Sequence, residues 1–383
     1  MDRMKIGVVG CGDICSRTYI PNIASRFRNM TLHALCDLKT ERAETLARKY
    51  DVPHVYTLEQ MLADPEIDII LNTTTPQSHY AINMMALQAG KHVYTEKPLG
   101  LDLTEAQAQL DVANQRGLYI GCAPDVFLGA GVQTCRKALD DGRIGEIVGA
   151  RAAIMYHGPE AVHPSPDFLY QKGAGPILDV GPYILHELLY FLGPVKELSC
   201  YGGIKTPNRP IKDRFVQVEV NTHINAILAF ESGHSASVDM SWEVWGAVNG
   251  PRVQVFGKNG TLFLTDSDNY GAGCQVHILE SKDMEDENGA ITWEAMQKIG
   301  SYKKEVPLLF ESPEENRGLG LSEMVDAIQN KRKNRANGEF ATHLTELMDG
   351  MNIAIATGEP YRMRTTFDIP EPLPVDFLER VKE

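Results

Sequence analysis

Short solid runs of apolar residues alternate with stretches of helical length through the first third of the chain. The runs fall at 6–10, 32–36, 67–71, 92–94 and 118–121, with a shorter one at 55–56. Helical stretches lie between them, one ending near residue 27 and others covering 40–50, 58–63, 80–89 and 104–116. Gly90 and Gly117 stop the last two, as glycine commonly does at a helix C-terminus. Solid rather than alternating runs belong to strands buried on both faces. Strands separated by helices of this length need crossover connections, which build a parallel sheet. Residues 1–123 therefore read as an α/β domain with a doubly wound parallel sheet.

The period changes after residue 123. Helices are expected at 132–140 and 183–192, a strand at 147–156, and between them a loop at 157–176 rich in His, Pro and Gly. Alternating segments follow at 215–221, 223–230, 235–242, 252–256 and 261–265. Tight turns at Glu231-Ser232-Gly233 and Gly257-Lys258-Asn259-Gly260 join several of them, which predicts a mostly antiparallel sheet. Residues 282–316 have no period and read as a polar excursion with one strand. Two helical segments fill 320–356, joined by a basic link at 331–335 that reads as a solvated helix end. Residues 124–383 are thus expected to form an α+β domain with an open sheet. Alternation along 215–230 and 235–242 would leave apolar area on the sheet's open face uncovered.

At about 150 residues per domain, the 383 residues agree with two domains. The 37 basic and 51 acidic residues leave a net charge of -14, which argues against nucleic acid as a partner. No run approaches the roughly 18 apolar residues of a membrane span, and no signal peptide is apparent. The seven cysteines form no CxxC pair. They read as buried, reduced thiols of a cytoplasmic protein.

Gly10-Cys11-Gly12-Asp13-Ile14-Cys15 follows a strand and opens a helix. This is the context a dinucleotide fingerprint requires, here with Cys15 in place of the third glycine. Gly10 permits the tight turn, Gly12 lets the backbone approach a pyrophosphate, and the helix start at Asp13 and Ile14 offers amide donors to the anion. Asp37 ends the second strand, where a carboxylate accepts ribose hydroxyls and repels a 2′-phosphate. NAD is expected over NADP, although Lys39 and Arg42 nearby would tolerate the phosphate.

Glu96-Lys97-Pro98-Leu99-Gly100 follows the fourth main strand, at the edge where parallel sheets bind ligands. With the fingerprint and the segment Thr74 to His79, this motif resembles the Gfo/Idh/MocA family of nicotinamide-dependent oxidoreductases. The resemblance runs on through Gly173-Ala174-Gly175-Pro176-Ile177-Leu178-Asp179-Val180-Gly181-Pro182-Tyr183-Ile184-Leu185-His186 and through the turn at 256–262. It implies a Rossmann domain and a second domain that binds substrate. It also implies that Thr74 and His79 serve the cofactor, that Glu96 contacts the cofactor or orients Lys97, and that Lys97 lies close to nicotinamide and substrate, its bond to Pro98 cis. An ammonium partly out of water beside an oxidised nicotinamide has a lowered pKa and can take part in removing a hydroxyl proton.

Tyr183 stands where many relatives carry histidine and is the first acid–base candidate, with Asp179 binding a substrate hydroxyl. His186 shares a helix face with Tyr183, and reads either as second shell or as a fourth catalytic group. His163 is expected on a loop over the substrate. His157, His163, Asp179 and His186 are irregularly spaced, so no metal is expected. Asp125 falls where relatives often carry Asn or Arg near the nicotinamide. Trp242, Glu243 and Trp245 read as strand core or as a wall for a sugar ring.

The expected activity is hydride transfer between NAD(H) and a hydroxyl-bearing carbon of a sugar, polyol or related small hydroxy compound. The alternatives are a redox-neutral enzyme that oxidises its substrate transiently on tightly bound NAD, and a non-catalytic NAD-binding sensor. Family members commonly pair through the open sheet, which implies a homodimer or homotetramer.

Overall fold

The structure is a computed structural model that describes residues 3–161, 163, 166–245 and 250–382. The chain forms two compact units. The first comprises Met1–Leu128, Glu315–Asp349 and Leu373–Glu383, and the second Gly129–Glu314 and Gly350–Pro372. The expected single division at 123/124 assigned everything beyond it to the second domain. By contact, 315–349 and 373–383 belong with the first, because their apolar faces complete its core.

The first unit holds β1 (Met4–Val9), β2 (Met30–Cys36), β3 (His54–Val55), β4 (Ile69–Asn72), β5 (His92–Thr95) and β6 (Ile120–Cys122). They form one parallel sheet in the order β3-β2-β1-β4-β5-β6. Strand order reverses at β1, and the crevice at the strand C-termini there is where such sheets bind dinucleotides. Ile6, Val8, Leu35, Ile69, Ile70 and Leu71 are buried, as strands covered on both faces require. The pairs Val9↔Cys36, Val9↔Asn72 and Asn72↔Thr95 are in register. The turns after β1, β2, β4 and β5 therefore leave the sheet along one edge.

The returning chain protects the sheet's other flank. Residues 334–337 cover the free edge of β6, with Cys122 N donating to Ala336 O at 3.2 Å. Helix Leu319–Gln329 packs beside the same strand. The basic link before helix Gly338–Thr357 is not a solvated helix end. Arg332 Nη1 and Arg335 Nη1 reach Glu323 Oε1 at 2.5 and 2.8 Å, and Arg332 Nη2 reaches Asp326 Oδ2 at 2.5 Å. Glu323 is wholly buried, so the guanidiniums are needed where the pattern showed only charge.

The second unit carries β7 (Ile147–Met155), β8 (Val195–Gly203), β9 (Asn208–Ile211), β10 (Arg214–Gln217), β11 (His223–Phe230), β12 (Ser235–Ser241), β13 (Val253–Gly257), β14 (Gly260–Leu264), β15 (Val276–Glu280), β16 (Lys304–Val306) and β17 (Tyr361–Arg362). Nine form a sheet in the order β16-β15-β14-β13-β7-β12-β11-β8-β17. All neighbours are antiparallel except β7 and β12. Helix Gly181–Leu192 packs on the inner face against β7 and β13, with Ile184, Leu185, Leu188 and Leu189 buried.

Two expectations need correction here. The segment 215–221 is not a strand of this sheet. Only its start extends, as β10, in a separate hairpin with β9. Val216 and Val218 spend their apolar side chains on a satellite cluster with Tyr170 and Trp242. Conversely, β8, β15 and β17 of this sheet lie outside the expected strands. In β8 the register against β11 shifts near Val195, which breaks the two-residue period that reveals a half-buried strand.

Candidate active site

Gly10 adopts φ +95°, and a Cβ there would lie 2.8 Å from the main chain of Thr73 and Thr74. Only glycine meets both demands. Its N–H donates to Cys36 O at 2.8 Å, and Thr73 Oγ1 donates to its carbonyl at 2.6 Å. Above Gly12 the structure is open, with nothing within 4 Å of a built Cβ. The helix then begins with Asp13, exposed and paired with Arg17 at 3.1 Å, and Ile14, half-buried. Cys15 is fully buried, so a small thiol serves where close packing usually asks for glycine.

Asp37 braces this loop. Its Oδ2 accepts from Cys11 N and its Oδ1 from Lys39 N, both at 2.7 Å. Each carboxylate oxygen retains a lone pair, and the group is partly open to solvent. Leu38 beside it is wholly exposed, an apolar surface that sequence reasoning passed over. A narrow glycine turn, open space above Gly12 and a carboxylate at the end of β2 fit a dinucleotide.

The turns after β4 and β5 are tied together. Thr74 donates to Asn72 Oδ1 through both its N–H and its hydroxyl, at 3.2 and 2.7 Å. His79 is wholly buried, with Nδ1 2.8 Å from Pro98 O and Nε2 3.1 Å from Thr74 O. Burial pulls its imidazole pKa down, and a neutral ring donates from one nitrogen only. With no exposed surface, His79 acts by holding these turns together. Glu96 is buried, its Oε1 accepting from Tyr19 Oη at 2.7 Å and its Oε2 from Lys97 N at 3.1 Å. Lys97 follows, half-buried, and its bond to Pro98 is cis. Asp125 is buried, and its Oδ2 accepts from Gly320 N at 2.6 Å, so it anchors the start of helix Leu319–Gln329.

In the second unit Asp179 ends the short helix Gly175–Asp179, and Tyr183 stands in the first turn of Gly181–Leu192. Both are partly exposed. Tyr183 lines a cavity of about 300 Å³ with Tyr156, Arg252, Asp266, Ser267 and Asp268. Asp179, His163 and His186 are not among its walls. His186 is buried, and His163 lies edge-on to Phe168 with ring centres 5.3 Å apart. Of the expected loop around His163, residues 162, 164 and 165 lie outside the described residues. Glu187, one turn beyond Tyr183, is completely buried and accepts from Ser267 Oγ at 2.8 Å. Burial drives its carboxyl pKa well above the ordinary range.

Sequence reasoning missed Arg209, whose side chain is 2% exposed. Its Nε meets Glu160 Oε1 at 2.7 Å, its Nη1 meets Glu243 Oε2 at 2.8 Å, and its Nη2 reaches Trp242 O at 2.8 Å and His157 O at 3.1 Å. Tyr170 donates to Glu160. Burial works against the Glu243 carboxylate, but hydrogen bonds from Thr222 and Thr206 and the Arg209 charge prevail and lower its pKa. The Trp242–Trp245 group therefore splits three ways. Trp242 is core, Glu243 is an ion partner, and Trp245 is exposed and stacks on His157 at 3.7 Å.

Residues 4–123 match a family described as an oxidoreductase family with an NAD-binding Rossmann fold, and residues 132–263 match the GFO/IDH/MocA C-terminal domain. A scyllo-inositol 2-dehydrogenase (NADP(+)) of Bacillus subtilis (strain 168) is 25% identical over 313 residues, covering 79% of this chain and 81% of that protein. A dTDP-3,4-didehydro-2,6-dideoxy-alpha-D-glucose 3-reductase of Streptomyces antibioticus is 26% identical over 292 residues, 74% of this chain and 83% of that one. The crystal structure of an aldose-aldose oxidoreductase from Caulobacter crescentus with glycerol aligns with a TM-score of 0.77. It covers 94% of this chain and 100% of that one at 19% identity, and shows the shared fold.

Proposed function

The chain belongs to the Gfo/Idh/MocA oxidoreductases, and on that premise we propose that it passes hydride between NAD(H) and a hydroxyl-bearing carbon of a sugar, polyol or related small hydroxy compound. It is an NAD(P)-dependent dehydrogenase acting on CH–OH groups. The observation that carries the reading is the register of β1, β4 and β5, which sets Gly10, Thr73 and the Glu96–Lys97 turn along one sheet edge. The related inositol dehydrogenase and dideoxyglucose reductase support the substrate class.

When bound, the nicotinamide supplies the hydride acceptor or donor. The glycine loop and the amides of Asp13 and Ile14 would hold the pyrophosphate, and Asp37 would take the ribose hydroxyls. Lys97 hydrogen-bonds the reacting hydroxyl, Tyr183 exchanges its proton, and Asp179 and His163 hold neighbouring hydroxyls. His186 is buried one turn along the same helix. The carboxylate of Asp37 favours NAD over NADP, since a 2′-phosphate beside it is repelled.

The test is reduced-nicotinamide absorbance with NAD and pooled sugars, polyols and their acids, with Lys97→Met run in parallel. A wild-type signal lost in the variant supports the reading; a signal that the variant keeps removes Lys97 from it. We read the protein as cytoplasmic, because its seven cysteines are free and buried, as a reducing compartment allows. Recovery in a secreted fraction counts against that. Tyr201 and Ile227 stand exposed on β8 and β11, and we assign that face to pairing with a second copy. Light scattering that finds a monomer rejects it.

A further inference from the structure

The helix after the glycine loop is not a regular α-helix. Cys15–Tyr19 forms a π turn, in which Ile20 N donates to Cys15 O, five residues back. The sequence explains the widening. Pro21 has no N–H, and its ring crowds the carbonyl four residues earlier. Thr18 Oγ1 also takes Ile14 O at 2.6 Å, a bond that commonly bends helices. Such turns frequently mark functional sites. Here the extra residue turns Tyr19 fully inward, where its hydroxyl meets Glu96 Oε1 at 2.7 Å.

Glu96 is itself fixed at both ends. Its N–H donates to Asn72 O at 2.8 Å, and its second oxygen holds the N–H of Lys97 at 3.1 Å. A continuous path thus runs from the cofactor loop, through the five residues of the π turn, to the turn that carries Lys97. All of it lies within the first unit. A buried carboxylate needs a donor on each oxygen, and a valine or leucine in place of Tyr19 would leave Glu96 free to turn.

We propose that Tyr19 is a positioning residue that couples the dinucleotide loop to Lys97, its hydroxyl locking the Glu96 carboxylate that in turn fixes the Lys97 main chain. A dinucleotide seated on Gly10–Ile14 then sets the orientation of Lys97 through the π turn. The inference builds on the reading of Lys97 as the residue that hydrogen-bonds the reacting hydroxyl, but its test does not need the substrate.

The experiment measures acylation of the Lys97 amine by trace acetic anhydride, read by peptide mass spectrometry, with and without saturating NAD⁺. NADH affinity is measured by fluorescence and the melting temperature is recorded alongside. In the wild type, NAD⁺ slows Lys97 acylation at least fivefold. In Tyr19→Phe the protection falls below twofold while NADH affinity changes less than threefold. Glu96→Gln, which leaves Tyr19 in place, loses the same protection, and the double variant loses no more. Non-additivity of this kind reports residues acting through one another.

The proposal is overturned if NAD⁺ gives no protection in the wild type or if Tyr19→Phe keeps it. It is also overturned if protection falls only in step with NADH affinity or melting temperature, or if the two substitutions add. Should Tyr19→Phe not fold, Glu96→Gln with undiminished protection overturns it alone. Failure of Lys97→Met to abolish turnover would instead reject the role of Lys97 at the reacting hydroxyl and leave the coupling result standing.

Discussion

The two units assemble their functional surfaces by opposite means. In the first, main-chain bonds align the turns after neighbouring parallel strands, Gly10 N to Cys36 O, Thr73 N to Val9 O and Glu96 N to Asn72 O, and several side chains, Asp37 and His79 among them, brace them. In the second, His157, Glu160, Trp242 and Glu243 converge on one buried guanidinium, that of Arg209 in β9. Parallel register aligns strand ends without help, so the loops there stay short. Long connections in an antiparallel sheet leave the register free of the loop path, and a buried charge with several partners closes them instead.

The largest effects expected are chemical, one in each unit. Lys97→Met loses about 10²- to 10⁴-fold in turnover, while NADH binding and melting temperature hold within error; steady-state kinetics beside fluorescence titration check this. Tyr183→Phe loses turnover in the same range, and normal turnover would remove the phenol from the proton step.

Next comes the clamp itself. Arg209→Met leaves Glu160 and Glu243 without their counter-charge and costs about 3–5 kcal/mol of stability, read by urea unfolding. NADH affinity unchanged in that variant would sharpen the contrast between the units; a large loss would blur it.

Asp37→Asn gives up a charge-assisted hydrogen bond and the repulsion of a 2′-phosphate. About tenfold weaker NADH binding is expected, from roughly 1.5 kcal/mol, with a swing toward NADPH. Competitive titration of the two cofactors decides it.

The smallest effect concerns Glu187. Its folded pKa lies well above the ordinary 4.5, so its contribution to stability is complete below that value. It is lost as pH rises toward the folded pKa. Glu187→Gln cannot ionise, so its melting temperature relative to wild type rises by a few degrees between pH 5 and 8. A constant difference across that range would mean that Glu187 does not titrate there.

Much of the candidate site was legible from local pattern. Gly10, Gly12 and Asp37 declare themselves because a tight turn and a strand-end carboxylate are short-range requirements, and Glu96–Lys97 because of where it follows a strand. Tyr183 was found by resemblance, and its place near the start of a helix followed from the helical stretch at 183–192. His79 was legible as a residue of the cofactor end but not as a buried tie between two turns, since its partners are backbone carbonyls. Arg209 gave no signal, because its carboxylates lie 49 and 34 residues away. The basic link at 331–335 gave a misleading one, since solvated and buried charge look alike along a chain.

By itself the amino-acid sequence determined the alternation of strands and helices in the first unit, the antiparallel character of the second and the glycine loop. These follow from side-chain period and backbone freedom over a few residues. The tertiary structure decided that the chain returns to complete the first unit, that Arg209 closes the loops of the second and that Tyr19 reaches Glu96, 77 residues away. A buried polar group takes whichever partner packing brings within about 3 Å, and no local pattern names that partner.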